Sequence, residues 1–176
     1  MKLIKSIELP EHIAPGGFDH AAVHAGTSRL YVAHTGNDAI DVIDCASDHY
    51  LISIPNLKRV AGALVSEERN LVFTSNRGED TVGIFAVGDE QNLVKVKVGI
   101  RPNGLSFDPR RGLLLAANVG NPDISNSFTV SVVDVERREM IHSIPVLGRT
   151  RWTIFDPAAE CFYINIADPF QIVVVE

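Results

Sequence analysis

The stretch RPNGLSFDPRRGLLLAAN, Arg101 to Asn118, decides the fold, because its outline is written more than once. FDHAAVHAGTSRLYVAH (Phe18 to His34) precedes it and TRWTIFDPAAECFYINI (Thr150 to Ile166) follows it. Aligning Val23, Val65, Phe107 and Phe155 gives steps of 42, 42 and 48 residues. Seven residues after each stands another apolar residue: Leu30, Val72, Leu114 and Phe162. A third set, Ile40, Val82, Val130 and Ile172, is spaced 42, 48 and 42. A six-residue insertion in the loop NPDISNS, Asn121 to Ser127, accounts for the whole mismatch. A fixed period of this length is the mark of a repeat architecture.

Each unit reads as four short strands, A to D. Strand A is GLSF or WTIF, and the turn DPRRG or DPAAE follows, with proline placed for a type I turn. Strand B is RLYVA, LVFTS, LLLAA or CFYIN, and a loop carrying Gly36, Gly78 or Gly120 leads to strand C, as in AIDVID or TVSVVDV. Strand D is YLISIP, LVKVKV or MIHSIPV. Short β-branched runs bounded by Gly, Pro, Asn and Asp are strand chemistry, and no long stretch has a helical apolar period. Four strands in roughly 40–45 residues is the arithmetic of a β-propeller blade. A β-sandwich also has many short strands but needs no fixed period. The expected fold is therefore all-β, a β-propeller of about four antiparallel four-stranded blades in one domain. The repeats run over about 18–59, 60–101, 102–149 and 150–176.

Residues 2–10 form a stray fourth strand in this reading, since LIKSIELP, Leu3 to Pro10, matches LISIP and IHSIP. The chain ends on QIVVVE, a C strand. Two closures are open. The N-terminal D strand completes the last blade of a small closed ring, or the chain is an arc of a larger ring whose exposed ends invite self-association.

Composition narrows the function classes. The chain has 176 residues, 45% hydrophobic and 22% charged, with a formal net charge of −6. Nucleic-acid binding by counterion release wants a basic face, so no nucleic-acid partner is expected. No apolar run is long enough for a membrane span, and the N-terminus lacks the apolar core of a signal peptide, so a cytoplasmic, membrane-free protein is expected. Cys45 and Cys161 lie in different repeats and read as free, buried thiols.

The B strands LYVAH, VFTSN, LLAAN and FYINI, with RPNGLSFDPRRGLLLAANVG, FTVSVVDV and HSIPVLGR, resemble the YVTN-type (YncE-like) β-propeller repeat across essentially the whole chain. The resemblance implies a WD40-like radial arrangement of blades and about seven blades, nearly twice the number written here. It implies no particular activity.

In a propeller the entries into strand A and the B–C loops open on one face of the ring. That rule gathers Asp19, His20, Asn103, Arg151 and Trp152 at the A entries, with Arg101 and Arg149 just before them. His34, Asn76 and Asn118 end strand B on the same face, and NPDISNS and Asp168 lie there too. Gly62 and Gly104 repeat at one position; His20 and Trp152 break it. Irregular residues on one face of a repeat array are what a ligand pocket at the channel mouth looks like. Asp19, His20, His34, Asn76, Arg101, Asn103, Asn118, Arg151 and Trp152 are the candidate ligand-binding residues. Asn76 and Asn118 have a structural alternative, holding the turn through backbone amides. Trp152 has one as a channel plug. The arginines suit an anionic group or simple salt bridges. Asp44, Asp108, Asp134 and Asp156 read as turn residues.

No H-E-x-x-H, C-x-x-C, G-x-S-x-G or Walker motif is present, and no catalytic residue is assigned. The favoured function is a non-catalytic binding scaffold for a small-molecule ligand or a protein partner at the channel mouth. The alternatives are a lactonase-like hydrolase and a half-propeller assembly module. The hydrolase would hold a divalent metal through Asp19, Asn103, Asn118 and Asp168. No cofactor beyond that possible metal is expected.

Overall fold

A computed structural model describes residues 1–176. Its strands group into blades in chain order. The first contains β1 (Ala21–His24), β2 (Arg29–His34), β3 (Ala39–Asp44) and β4 (His49–Ile54). The second contains β5 (Val60–Ser66), β6 (Leu71–Asn76), β7 (Thr81–Ala86) and β8 (Asp89–Lys97). The third contains β9 (Pro102–Asp108), β10 (Leu113–Asn118), β11 (Thr129–Asp134) and β12 (Glu139–Pro145). The fourth has three strands, β13 (Thr150–Asp156), β14 (Cys161–Ile166) and β15 (Gln171–Val175). Every pairing is an antiparallel meander between sequence neighbours. The chain is an all-β, β-propeller fold, as its repeat predicts.

Aspartates close the turns on the face away from the A entries. Asp108 accepts from the amides of Arg110 and Arg111, and Asp156 from those of Ala158 and Ala159. Asp44 and Asp134 cap the C–D turns in the same way, through Ala46 and through Glu136 and Arg137. These are carboxylates satisfying turn amides that strand pairing leaves free. Their reading as turn residues holds.

The blades stack through both faces of their sheets, which explains why strand B is apolar nearly throughout rather than alternating. Tyr31, Ile40 and Val42 of the first blade pack on Val60, Val72 and Phe85 of the second. Phe73, Val82 and Ile84 of the second pack on Leu114, Ala116, Val133 and Val135 of the third. Leu115, Ala117 and Val130 of the third pack on Phe162, Ile164 and Ile166 of the fourth. Three interfaces therefore hold the array. The front face of the fourth blade is bare, with Ile154, Ile172 and Val174 each more than half exposed.

Two expectations fail. Residues 1–20 form no strand, so Leu3–Pro10 does not complete the last blade of its own chain. The segment lies instead beside the first blade, where the Lys5 ammonium reaches the Ser47 carbonyl and the Ile13 amide bonds the Asn37 side chain. Sequence specified the strand type but not the sheet edge it joins. The second concerns the thiols: both are free, and Cys161 is buried, but Cys45 is exposed because the C–D turn of the first blade stands clear of any neighbouring sheet.

Candidate functional site at the inner rim

The entries into strand A converge. Nδ1 of His20 lies 2.8 Å from the Asp19 carboxylate and 2.8 Å from the Ala61 carbonyl. Both partners accept, so this nitrogen carries the proton. The other carboxylate oxygen of Asp19 is 3.6 Å from the Arg77 guanidinium. Arg77 also donates to the Asn103 amide oxygen, and the Asn103 amide nitrogen donates to the Arg151 carbonyl at 3.3 Å. The Trp152 ring meets His20 edge-on at 4.0 Å. Asp19, His20, Asn103, Trp152 and the Arg151 carbonyl are thus one connected group drawn from three blades, and His20, Asn103 and Trp152 line a small cavity of about 60 Å³.

Close approach of neighbouring A strands dictates the glycines here. A Cβ on Gly62 would stand 2.8 Å from the Asn103 carbonyl, and one on Gly104 would stand 2.6 Å from the Arg151 carbonyl. Trp152 occupies the equivalent position in the fourth blade, where no further sheet crowds it, and remains half exposed. It is therefore not a buried plug.

His34, Asn76 and Asn118 are fully buried and do not line an open site. The Asn76 amide donates to the Thr81 hydroxyl at 2.9 Å, and Asn118 donates to Thr129 and Ser131, each at 2.9 Å. They pin strand B to strand C through hydroxyls, not through backbone amides as expected. Position 39 is alanine, so His34 lacks that hydroxyl and turns to Asp41 at 2.7 Å, with His12 on its other nitrogen at 2.8 Å.

Sequence reasoning placed Arg101, Arg149 and Arg151 on this face but missed Arg59 and Arg77. Arg59, Arg101 and Arg149 occupy one repeat position, spaced 42 and 48 residues. Burial holds the Arg77 guanidinium below the usual arginine range; Asp19 opposes that shift, while Arg101, Arg59 and Arg149 add to it. The charge of Arg77 thus feels all three recurring arginines, and Arg59, Arg101, Arg149 and Arg151 make no ion pair. Arg101 and Arg149 line a groove of about 710 Å³ between the third and fourth blades, with Gly120, Pro122, Phe128 and Asp168. Pro122 of the inserted loop therefore forms part of the groove wall.

The donor set for a metal does not assemble. No three of His, Cys, Asp and Glu are arranged to hold an ion. Asp19 faces a guanidinium, Asn118 is spent on hydroxyls, and Asp168 lies in the groove.

No protein-family model matches the chain. An uncharacterised protein of Staphylococcus saprophyticus is 29% identical over 100 residues, covering 51% of this chain and 29% of that protein. Among solved structures, hydrazine synthase of Kuenenia stuttgartiensis superposes with a TM-score of 0.80 at 16% identity, over 94% of this chain and 48% of that one. A chain of a nidogen/laminin complex superposes at 0.73 with 14% identity, over 90% and 60%. The chain spans less than a third of the curated relative and about half of these structures. At such identities the likeness is one of fold. No helix is long and apolar enough to cross a membrane.

Proposed function

We propose that the protein is a non-catalytic β-propeller scaffold whose inner rim binds an anionic group. The observation that carries this reading is the cluster of arginines without carboxylate partners, set beside a groove of about 710 Å³ in a chain of net charge −6. A guanidinium offers a fixed fork of donors matched to carboxylate and phosphate oxygens. Arg101 and Arg149 frame the groove, Phe128 and Pro122 offer apolar wall, and Arg77 adds field from the adjoining entry cluster. A small molecule bearing phosphate or carboxylate fits these terms. An acidic segment of a protein partner meets the same chemistry.

Isothermal titration with inorganic phosphate, citrate and a poly-glutamate peptide tests the reading and separates the two sources. Binding of at least one should weaken by about 10- to 150-fold in Arg101→Ala or Arg149→Ala, the loss expected for one charge-assisted hydrogen bond of roughly 1.5–3 kcal/mol. Absence of heat with all three at millimolar concentration, or binding unaffected in the double variant, overturns it.

A further inference from the structure

One acidic position of the repeat is lost at the junction of the third and fourth blades. At the first junction the loop Gly36-Asn37-Asp38 ends on an aspartate whose carboxylate accepts from the Arg59 amide at 2.7 Å. At the second, Asp80 of Gly78-Glu79-Asp80 accepts from the Arg101 amide at 2.9 Å. In the third unit the insertion follows Gly120, and the equivalent residue is Phe128. Its backbone is placed as in the others. The Phe128 carbonyl accepts from Val146 at 3.0 Å, as Asp38 accepts from Leu57 at 2.8 Å and Asp80 from Val98 at 3.0 Å. The change lies in the side chain.

The Arg149 amide, third in this series, consequently has no acceptor in the protein. Arg59 and Arg101 are held at left-handed φ values of +48° and +56°, and Arg149 lies outside that region. Arg101 and Arg149, both without an ion pair, line the groove of about 710 Å³ together with Val119, Pro122, Phe128 and Leu147. Leu147 is 77% exposed, so this apolar wall is uncovered. Asp168 is the one carboxylate on the lining. The lining comes from the entry and B–C loop of the third blade, the link from β12 to β13, and the β14–β15 loop, and none of these is a chain end.

We infer that the groove takes a monocarboxylate carried on an apolar body, its carboxylate standing where Asp38 and Asp80 stand at the other junctions. This rests on the anion-binding reading of the rim and narrows it to one ligand class. One carboxylate oxygen accepts from the Arg149 amide, and the other from the guanidinium of Arg149 or Arg101. Charge-assisted bonds of this kind are roughly twice as strong as neutral ones. The apolar body covers Leu147 and lies along Phe128 and Val119, which removes apolar surface from water. A groove of this size falls in the ordinary range for a small ligand, about 300–1,000 Å³. Asp168 repels a second negative group, so a single charge is preferred over phosphate or citrate. Phe128 thus acts twice. It removes the internal carboxylate that would fill the site, and it supplies wall for the ligand's apolar part.

Calorimetric titration of the full chain with phenylacetate, phosphate and citrate tests the inference. Phenylacetate should bind about tenfold or more tightly than either of the others. Phe128→Asp restores the repeat's own carboxylate and should weaken phenylacetate by about tenfold or more, whereas Phe128→Leu keeps an apolar wall and should stay within about threefold of the parent. A short peptide ending in phenylalanine offers the same chemistry from a chain terminus. If its free acid binds more tightly than phenylacetate the source is a terminus, and if less tightly a small acid; its amide should not bind. In the parent protein the Arg149 amide proton should shift and exchange more slowly when phenylacetate is added, a reading that needs no variant. Equal affinity for phosphate and phenylacetate overturns the inference, as does full affinity in Phe128→Asp or an unmoved Arg149 amide. Phosphate or citrate binding without phenylacetate removes this inference alone. No binding of any anion removes the rim reading with it.

Discussion

The His20 ring and the Trp152 indole meet edge to face at 4.0 Å and 79°, although they belong to the first and last blades. This contact joins the two ends of the array at its inner rim, and no buried cluster backs it further out. Such an aromatic pair is worth about 0.5–1.5 kcal/mol. Trp152→Ala should therefore lower stability by about that amount in a urea melt, far less than loss of a buried aromatic. Trp152 is also the single tryptophan, so its emission reports the rim directly. A loss above about 3 kcal/mol would mean that the contact closes the whole array.

Two glycines separate crowding from backbone strain. Gly104 lies where any side chain collides with the backbone of Arg151, Trp152 and Thr153. Gly112 has a φ of +70° and nothing within 4 Å. Gly112→Ala should cost about 1–2 kcal/mol from the left-handed conformation alone. Gly104→Ala must push two A strands apart, at a cost of about 1–3 kcal/mol, and should also disturb the Asn103–Arg151 bond. Paired chemical melts measure both, and proton chemical shifts at Trp152 should move only for Gly104→Ala.

Much of the fold was legible because apolar residues recur at a fixed spacing, and one insertion explained the exception. The convergence of Asp19, His20, Asn103, Arg151 and Trp152 followed from the same register. The partners of buried groups did not. Asp41 receives His34, but the equivalent positions are Gly83, Ser131 and Val173, so no recurring signal marks it. Nor can a pattern of strand residues say which edge a terminal strand joins. Leu3–Pro10 carries the right side chains for strand D, and pairing depends on where the chain can reach.

The His34–Asp41 pair supplies a stability test. Both side chains are fully buried, and Asp41 also accepts from the Ser53 hydroxyl. Asp41→Ala leaves His34 Nδ1 without its acceptor, while the Ser53 hydroxyl can turn to the Tyr50 hydroxyl at 2.8 Å. A buried donor left without its acceptor costs about 1–3 kcal/mol. Thermal melts of Asp41→Ala and Asp41→Asn should fall in that order of severity, because the amide retains an acceptor oxygen. Equal stability of Asp41→Ala and the parent chain would show that His12 and solvent satisfy His34 alone.

Acid sensitivity follows from Asp108. Burial works to raise its pKa, but hydrogen bonds from the Arg111 side chain and from the Arg110 and Arg111 amides outweigh it and hold the carboxyl below the usual range. The hydrogen bonds from Ser47 and Ala46 lower Asp44 likewise. A depressed carboxyl favours the folded state above its unfolded pKa, near about 3.9 for aspartate. That contribution disappears as pH falls through the lower folded value. Stability should thus be steady from neutral pH down to the ordinary carboxylate range and decline below it. Asp108→Asn should be less stable at pH 7 and show a shallower acid decline; an unchanged slope in urea melts across that range would refute the assignment.

Asp19 is the one carboxylate paired with Arg77, so it competes with any anion for the rim. Its removal should act in opposite directions on stability and on binding. Asp19→Asn leaves Arg77 half-buried among Arg59, Arg101 and Arg149 with no opposing charge, which lowers the melting temperature. The same change strengthens the positive field, so phosphate or citrate should bind more tightly and restore the lost stability by mass action. At about 1 M salt, where screening reaches only about 3 Å, the gain in affinity should shrink. Calorimetric titration and scanning fluorimetry of the parent and variant at two salt concentrations measure both effects. Weaker anion binding in Asp19→Asn would mean that the carboxylate orients Arg77 toward the ligand rather than competing with it.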